Sequence, residues 1–284
     1  MRQLGFADRV GLGWRPELAA GILSHLDEID IVEVLIEDCL HVSRRERQGL
    51  AFLARHVPVM YHGVTLGLAS AHAIDSRRLD RVARFLGTVK TPIWSEHLAF
   101  VRAGGIEIGH LAAPPRAPWS VDAACENLRR IERVVGTLPA LENIATLLEP
   151  PGSTLTEPQW INAIASQAGV PLLLDLHNLV CNAVNSGGAP AQYLEGFPLE
   201  RATTVHLSGG RWIGQPRRLL DDHLHPVPAP VFELLERMAG CVHRPLTVII
   251  ERDGDYPPFH KLMNELRQAR RALAAGRTHE LACI

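Results

Sequence analysis

A closed (β/α)8 barrel, built as one domain over residues 1–284, is the fold class this sequence predicts. Three observations carry the prediction. Short β-branched or apolar runs alternate with longer amphipathic segments along most of the chain. The length of 284 residues suits a barrel, which typically needs roughly 250. Eight such runs are found, and six successive ones each deliver an imidazole or carboxylate near the carboxyl end, the face on which a parallel barrel builds its site.

The runs expected as strands are Val10–Gly13, Ile29–Leu35, Val57–Tyr61, Pro92–Glu96, Ala140–Glu142, Pro171–Leu174, Thr203–Leu207 and Leu246–Ile250. Between them lie helical patterns such as Ser76–Val89 and Val121–Val135. In the second, Ala124, Leu128, Ile131 and Val135 recur at the spacing of one helical face, with Ser120 expected as N-cap. The 171–174 run is apolar without alternation, as a strand covered on both faces should be. An open, doubly wound sheet is the competing arrangement. No Pro/Gly/Ser linker divides the chain, and the Pro-rich piece Ala112–Trp119 is short enough for one loop. The C-terminal tail from about residue 275 is expected to be flexible.

Composition narrows the function classes. Apolar residues make up 46% and charged residues 21%, enough for a large core and against disorder. A formal charge of −2 argues against a nucleic-acid or anionic-membrane partner. No run reaches the roughly 20 apolar residues that span a bilayer, and the N-terminus has no secretory pattern. Five cysteines (Cys39, Cys125, Cys181, Cys241, Cys283) are scattered and lack C-x-x-C spacing, which reads as reduced thiols and a cytoplasmic protein.

The chemistry is expected at the strand ends. His62 ends one run, His97 follows the next, and Glu142 and Asn143 end the third. Asp175 ends PLLLD, with His177 and Asn178 just after; His206 sits in TTVHL, Glu251 ends LTVIIE, and Asp221 and His223 lie in a loop. Carboxylates are almost never fully buried unless paired or metal-bound. Several of them crowded with imidazoles at one barrel mouth suggest divalent cations. For any single histidine the blander reading is a hydrogen-bonded structural residue, and for Asp175 or Glu251 a salt bridge with arginine. N and O donors without clustered thiolates favour iron, manganese or zinc. His25, His41, His56, His72, His243, His260 and His279 read as surface or capping residues, while His110 and His225 are open. Arg15 and Arg252 are candidates to hold a substrate carboxylate, with internal ion pairing as the alternative. Glu33 and Glu37 are candidates to orient imidazoles. Asn182, Asn185 and the glycines after them are expected to shape a loop over the site. The HLSGG segment offers flexible backbone without the lysine of a phosphate loop.

In these same motifs the sequence resembles the multinuclear non-haem iron-dependent oxidases, formerly a domain of unknown function, which include the methanobactin biosynthesis oxidase. The resemblance rests on GLGWR (Gly11–Arg15), VEVLIED (Val32–Asp38), HGVTLGLAS (His62–Ser70), SEHLAF (Ser95–Phe100) and LENI (Leu141–Ile144). It continues through LLLDLHNLVCNAVNSG (Leu172–Gly187), VHLSGG (Val205–Gly210), DDHLHPV (Asp221–Val227) and ERD (Glu251–Asp253). It implies a TIM-type, xylose-isomerase-like barrel. It also implies two or three iron ions, Fe(II)/Fe(III), on His62, His97, Glu142, Asp175, Asn178, His206, Asp221, His223 and Glu251. Glu142, Asp175 and Glu251 are the bridging candidates. Dioxygen is the implied co-substrate, and cysteine residues of a ribosomally made precursor peptide, presented by a partner protein, are the implied target. Arg15, Glu37, His177 and Arg252 are the weaker substrate-binding candidates. Two positions depart from the family: Asp38 stands where Asn is frequent, and His177 at a variable position. A zinc-dependent hydrolase or isomerase of the xylose-isomerase-like, AP-endonuclease-like group is the alternative function, and a non-catalytic metal- or peptide-binding module is the third.

Overall fold

Eight parallel strands close on themselves in the computed structural model, which describes residues 7–40, 43–89, 93–103 and 105–278. They are β1 (Arg9–Gly13), β2 (Val32–Leu35), β3 (Val59–Gly63), β4 (Trp94–His97), β5 (Ala140–Glu142), β6 (Leu172–Asp175), β7 (Ala202–Leu207) and β8 (Thr247–Ile250). Each pairs with its neighbours in sequence, and β1 pairs with β8 to complete the ring. The barrel predicted from the sequence is the one observed, and the open sheet is excluded.

Every predicted strand is present within a few residues of its expected bounds. The 29–35 run shortens to Val32–Leu35 because Asp30 turns its carboxylate onto the Val10 N–H at 3.0 Å instead of extending the ladder. Pro92, at the start of the fourth expected run, lies outside the described residues.

The helix over Ser76–Val89 has its predicted bounds. The next begins earlier than expected, at Pro118, with Ala117 before it. Ser120 is therefore inside the first turn, where its Oγ accepts the Ala117 N–H at 3.1 Å. Proline's fixed φ and missing N–H favour the first helical position, a signal that outweighs the serine. The last helix, Phe259–Thr278, continues past residue 275. Residues 279–284, and with them His279 and Cys283, lie outside the described residues, as does His41.

Two hairpins were not anticipated. Phe100–Ala103 pairs with Ile106–Ala112, and Gly210–Ile213 pairs with Arg218–Asp221. Both follow barrel strands and rise above the mouth. The second carries Asp221 at its end.

The main core lies between barrel and helices, where Leu172, Leu174, Val205, Leu207, Val248 and Ile250 are essentially solvent-free. A small separate cluster of Ile31, Met60 and Ile249 occupies the barrel interior. Side chains alternate across a strand, so Met60 and His62 share the inner face of β3, with the apolar residue below and the imidazole above. The interior thus changes from hydrocarbon to ligand-type groups within one strand repeat.

Among the described residues Cys39, Cys125 and Cys181 are free thiols, as the scattered spacing predicts. The last helix packs along Ala229–Cys241, and Arg277 donates to the Ala239, Val242 and Arg244 carbonyls. Residues distant in sequence are thereby neighbours.

Candidate metal centre

Six strands bring their polar ends to one point. Glu142, at the end of β5, is 1% exposed and sits at the junction of two groups of donor atoms. One group is His62, His97 and Glu142; the other is Glu142, Asp175, His206 and Glu251. Within each group the atoms lie within 4.8 Å of one another. His62 and His97 place Nε2 at 3.2 and 3.3 Å from Glu142 Oε2. His206 Nδ1 is 3.2 Å from Glu142 Oε1 and 3.0 Å from Glu251 Oε2.

These are close approaches without hydrogen bonds. Both Glu142 oxygens, His62 Nε2, His206 Nδ1 and both His223 ring nitrogens are buried and have no hydrogen-bond partner. Buried polar atoms in folded proteins are otherwise satisfied. Donors held about 2.1 Å from one cation stand roughly 3 Å apart, which is the spacing seen here. The residues fit metal ions.

The outer atoms of the same rings are anchored. His62 Nδ1 is 2.8 Å from Ser95 Oγ, and His206 Nε2 is 3.0 Å from Glu33 Oε2. His97 Nδ1 faces the Gly63 carbonyl at 3.3 Å. Fixing one ring nitrogen aims the other inward, as in known metal sites.

A third set adjoins the second. His223 Nε2 is 2.8 Å from Asp221 Oδ2 and 4.0 Å from Asp175 Oδ2. Asp221 is held from outside by His177 Nδ1 at 2.6 Å. His223 has φ 55°, a left-handed conformation unusual for a non-glycine residue. Its backbone is held on both sides, His223 N–H to Gly209 O and Asp253 N–H to His223 O, each at 3.0 Å. Asn178 donates its side-chain amide to the Asn143 carbonyl at 3.0 Å and leaves Oδ1 buried and unpartnered.

Electrostatics reflect the crowding. Burial pushes the Glu142 carboxyl up, but His97, His206 and His62 outweigh it and hold it down at about 2. Burial likewise opposes ionisation of Asp221, and His223 and His177 bring it to about 2. Asp175 goes the other way, well above the usual range, because burial and the neighbouring Asp221 act together.

A cavity of about 770 Å³ opens onto the cluster. Its inner end is His62, His97, Asn178, Asp221, His223 and Glu251, and its walls are apolar, including Phe100, Leu111, Ile144, Leu147 and Leu220. Asn182 and Asn185 support these walls from behind rather than covering the site. Asn182 Oδ1 accepts the Thr146 N–H at 2.7 Å, and Asn185 Oδ1 accepts the Leu219 N–H at 2.8 Å. The glycines of HLSGG serve close approach, not flexibility: a Cβ on Gly210 would lie 2.0 Å from the Leu220 carbonyl oxygen.

All nine residues expected as ligands converge here. The substrate candidates separate. Arg15 lines the cavity, but its guanidinium is engaged by Asp253, with Nε at 3.0 Å. Glu37 does not line it; Oε1 accepts the Val64 and Thr65 N–H groups at 3.0 and 2.7 Å. His177 is buried behind Asp221. Arg252 points outward, donating to the Leu224 carbonyl at 2.9 Å, because Glu251 beside it points in. Sequence reasoning missed Ser95, Ser208 and Asp253. It also missed Glu96, a buried carboxyl pushed well up by burial and by Glu37. Ser95 was recoverable, since it lies two residues before His97 on the same strand face. His110, left open, lines the cavity mouth, whereas His225 pairs with Asp222 at 2.9 Å.

A parallel barrel with such donors at its mouth is a xylose-isomerase-like TIM barrel able to hold metal ions. Solved structures agree on the fold. L-ribulose 3-epimerase superposes with a TM-score of 0.62 at 11% identity, over 95% of this chain and 96% of that one. A xylose isomerase-like TIM barrel protein from Mycobacterium smegmatis in complex with magnesium gives 0.59 at 12%, over 93% and 97%. The family model for the RiPP precursor modification enzymes MbnB/TglH/ChrH, which act on ribosomally made peptides, matches residues 9–274. The chain belongs to that family. Among curated relatives, a UPF0276 protein of Streptomyces avermitilis is 38% identical over 275 residues, covering 94% of this chain and 55% of that protein. The chain thus spans about half of that relative's length. A UPF0276 protein of Caulobacter vibrioides is 33% identical over 280 residues, covering 97% and 98%.

Proposed function

We propose that the chain is a multinuclear non-haem iron oxidase that uses dioxygen to modify cysteine in a ribosomally made precursor peptide. The observation that supports this reading is Glu142: one buried carboxylate shared by two donor groups, with Oε2 beside His62 and His97 and Oε1 beside His206. His62 and His97 would complete one ion's set, and Asp175, His206 and Glu251 the other's. Asp221, His223 and Asn178 stand beside them for a third. Iron bound there would supply electrons to dioxygen and an anchoring point for a thiolate.

The chain's own part is placement and exclusion of water. The cavity volume is within the range of ordinary ligand sites and admits a short peptide segment. Its walls of Phe100, Ile144, Leu147 and Leu220 would shield the cysteine beside the cluster. Ser95, Glu33 and His177 would keep His62, His206 and Asp221 in register. Arg15, held by Asp253, shapes the mouth rather than offering a free fork for a carboxylate.

The test is anaerobic purification with metal analysis, then oxygen uptake and peptide mass with a cysteine-containing precursor and, in a second arm, its presenting partner. Iron-dependent oxygen consumption with a mass change at cysteine is expected. The same donors suit zinc, so the competing hydrolase or isomerase reading has its own outcome. Zinc-supported turnover without oxygen would replace the oxidase reading.

A further inference from the structure

A second concave surface lies behind the strand that carries His62. Tyr61 and His62 are consecutive in β3 and face opposite sides, so Tyr61 points out of the barrel. There it forms the floor of a groove of about 650 Å³ with Cys39, Leu50 and Phe85. Phe85 meets the Tyr61 ring edge-on at 5.0 Å. The rim is cationic: Arg47 and Arg55 from the helix Arg44–His56, Arg81 and Arg84 from Ser76–Val89.

Three features set this place apart. The two helices stand off from one another, whereas Ser76–Val89 packs closely on Pro118–Val135. Among its described side chains, Arg44–His56 buries only Leu53, leaving an amphipathic helix largely uncovered. Charge is also segregated here. Each helix carries four arginines against a single acidic residue, in a chain whose formal charge is −2. The acidic groups nearby are Glu46, which accepts the Ser43 N–H at its own helix start, Asp80, and Glu37 and Asp38 beside Cys39. Neither Arg55 nor Arg84 pairs with a carboxylate among the described residues. Arg55 lies 5.5 Å above the Phe52 ring, and Arg84 donates to the Asp80 carbonyl at 3.2 Å.

We infer that this groove docks an acidic amphipathic helical segment of a protein partner, with apolar side chains on the Tyr61–Phe85 floor and carboxylates against the arginine rim. A helix presents apolar residues every three to four positions with charges to either side, which matches a recessed apolar floor between two cationic edges. A flat anionic bilayer fits less well, because the groove's own apolar side chains are covered, Tyr61 being buried and Leu50 and Phe85 half-buried, whereas a membrane-binding face must present its apolar residues outward. The groove lies on the opposite face of β3 from the cavity's donors, so occupancy requires neither metal nor turnover.

The probe is a fluorescent synthetic helix of about 14 residues, four turns, with leucine at i, i+3, i+4 and i+7 and glutamate elsewhere. Its binding to the full chain is read by anisotropy at low salt. Saturable binding is expected, weakened about tenfold or more in Arg55→Glu/Arg84→Glu, since like charges now face each other. Metal content and circular dichroism of that variant should match the parent. Equal binding by the variant, equal binding of a probe with its leucines replaced by serine, or no saturation by 1 mM would each overturn the inference. Co-sedimentation with phosphatidylglycerol vesicles that outcompetes the probe would overturn it in favour of a membrane surface.

Discussion

Glu142 and the atoms around it define what single residues do here. A carboxylate so deeply buried is tolerated because His62, His97 and His206 surround it. Replacing it with glutamine keeps the volume and removes the charge from both donor groups at once. Glu142→Gln is therefore expected to lose at least about half of the bound metal per chain, and Asp221→Asn distinctly less, as measured by inductively coupled plasma mass spectrometry. Similar metal content in the two variants would show that Glu142 does not serve both donor groups. Ser95 acts at one remove, through the 2.8 Å contact that aims His62. Loss of such an outer partner typically weakens metal binding about 10- to 100-fold. Ser95→Ala should show that drop in a chelator competition while its circular dichroism stays unchanged, and Ser95→Thr should restore part of the affinity.

At the scale of elements, the helices differ in how firmly they are held. Glu157–Ala168 buries Trp160, Ile161, Ile164 and Ala165, whereas Arg44–His56 relies on Leu53. Truncating a buried leucine costs about 2–5 kcal/mol. For Leu53→Ala that loss should appear as faster hydrogen exchange confined to residues 44–56, with protection of the barrel strands retained. Uniformly faster exchange across β1–β8 would show the helix to be part of the cooperative core. The hairpin Gly210–Ile213 with Arg218–Asp221 has the opposite character. It is pressed against His177, whose Cε1 would lie 2.6 Å from a Cβ on Gly210. Gly210→Ala must displace either the hairpin or His177, and both routes move Asp221. Peptide turnover is expected to fall more than tenfold in steady-state kinetics, with the melting temperature lowered less than in Leu53→Ala.

The whole molecule gathers Glu142, Asp175, Asp221 and Glu251 into one buried space whose compensating charges, among the described residues, are imidazoles and Arg15. Cations that bind the folded chain alone shift the unfolding equilibrium, by about 2.7 kcal/mol at a hundredfold excess over Kd. Each kcal/mol raises the midpoint roughly 2–4 °C for a chain of this order of size. Iron(II) under anaerobic conditions should thus raise Tm by roughly 5–10 °C, and chelation should reverse it. A Tm indifferent to iron, manganese and zinc alike would mean that the cluster is satisfied by its own ion pairs.

Periodicity and strand-end chemistry made most of this protein legible before any coordinates. Eight runs became eight barrel strands because each is a local apolar segment flanked by helical patterns, and a parallel ring is the simplest way to cover them all. The meeting of His62, His97, Glu142, Asp175, His206 and Glu251 was legible for the same reason: position at a strand's carboxyl end is a local property that the barrel converts into proximity. Asp221 and His223, on a hairpin and the turn after it, and Asn178, in a helix, joined the expected ligand set through the family resemblance. Roles that depend on partners distant in the chain stayed hidden. Arg252 and His177 look like site residues by adjacency, but strand alternation turns one outward and a neighbouring hairpin buries the other. Asp253 holds Arg15 from a position 238 residues away. The arginine-rimmed groove exists only because two helices far enough apart to leave a gap flank the same strand. Local pattern specifies which groups a strand end carries; which of them meet is set by packing, and packing is a property of the closed ring.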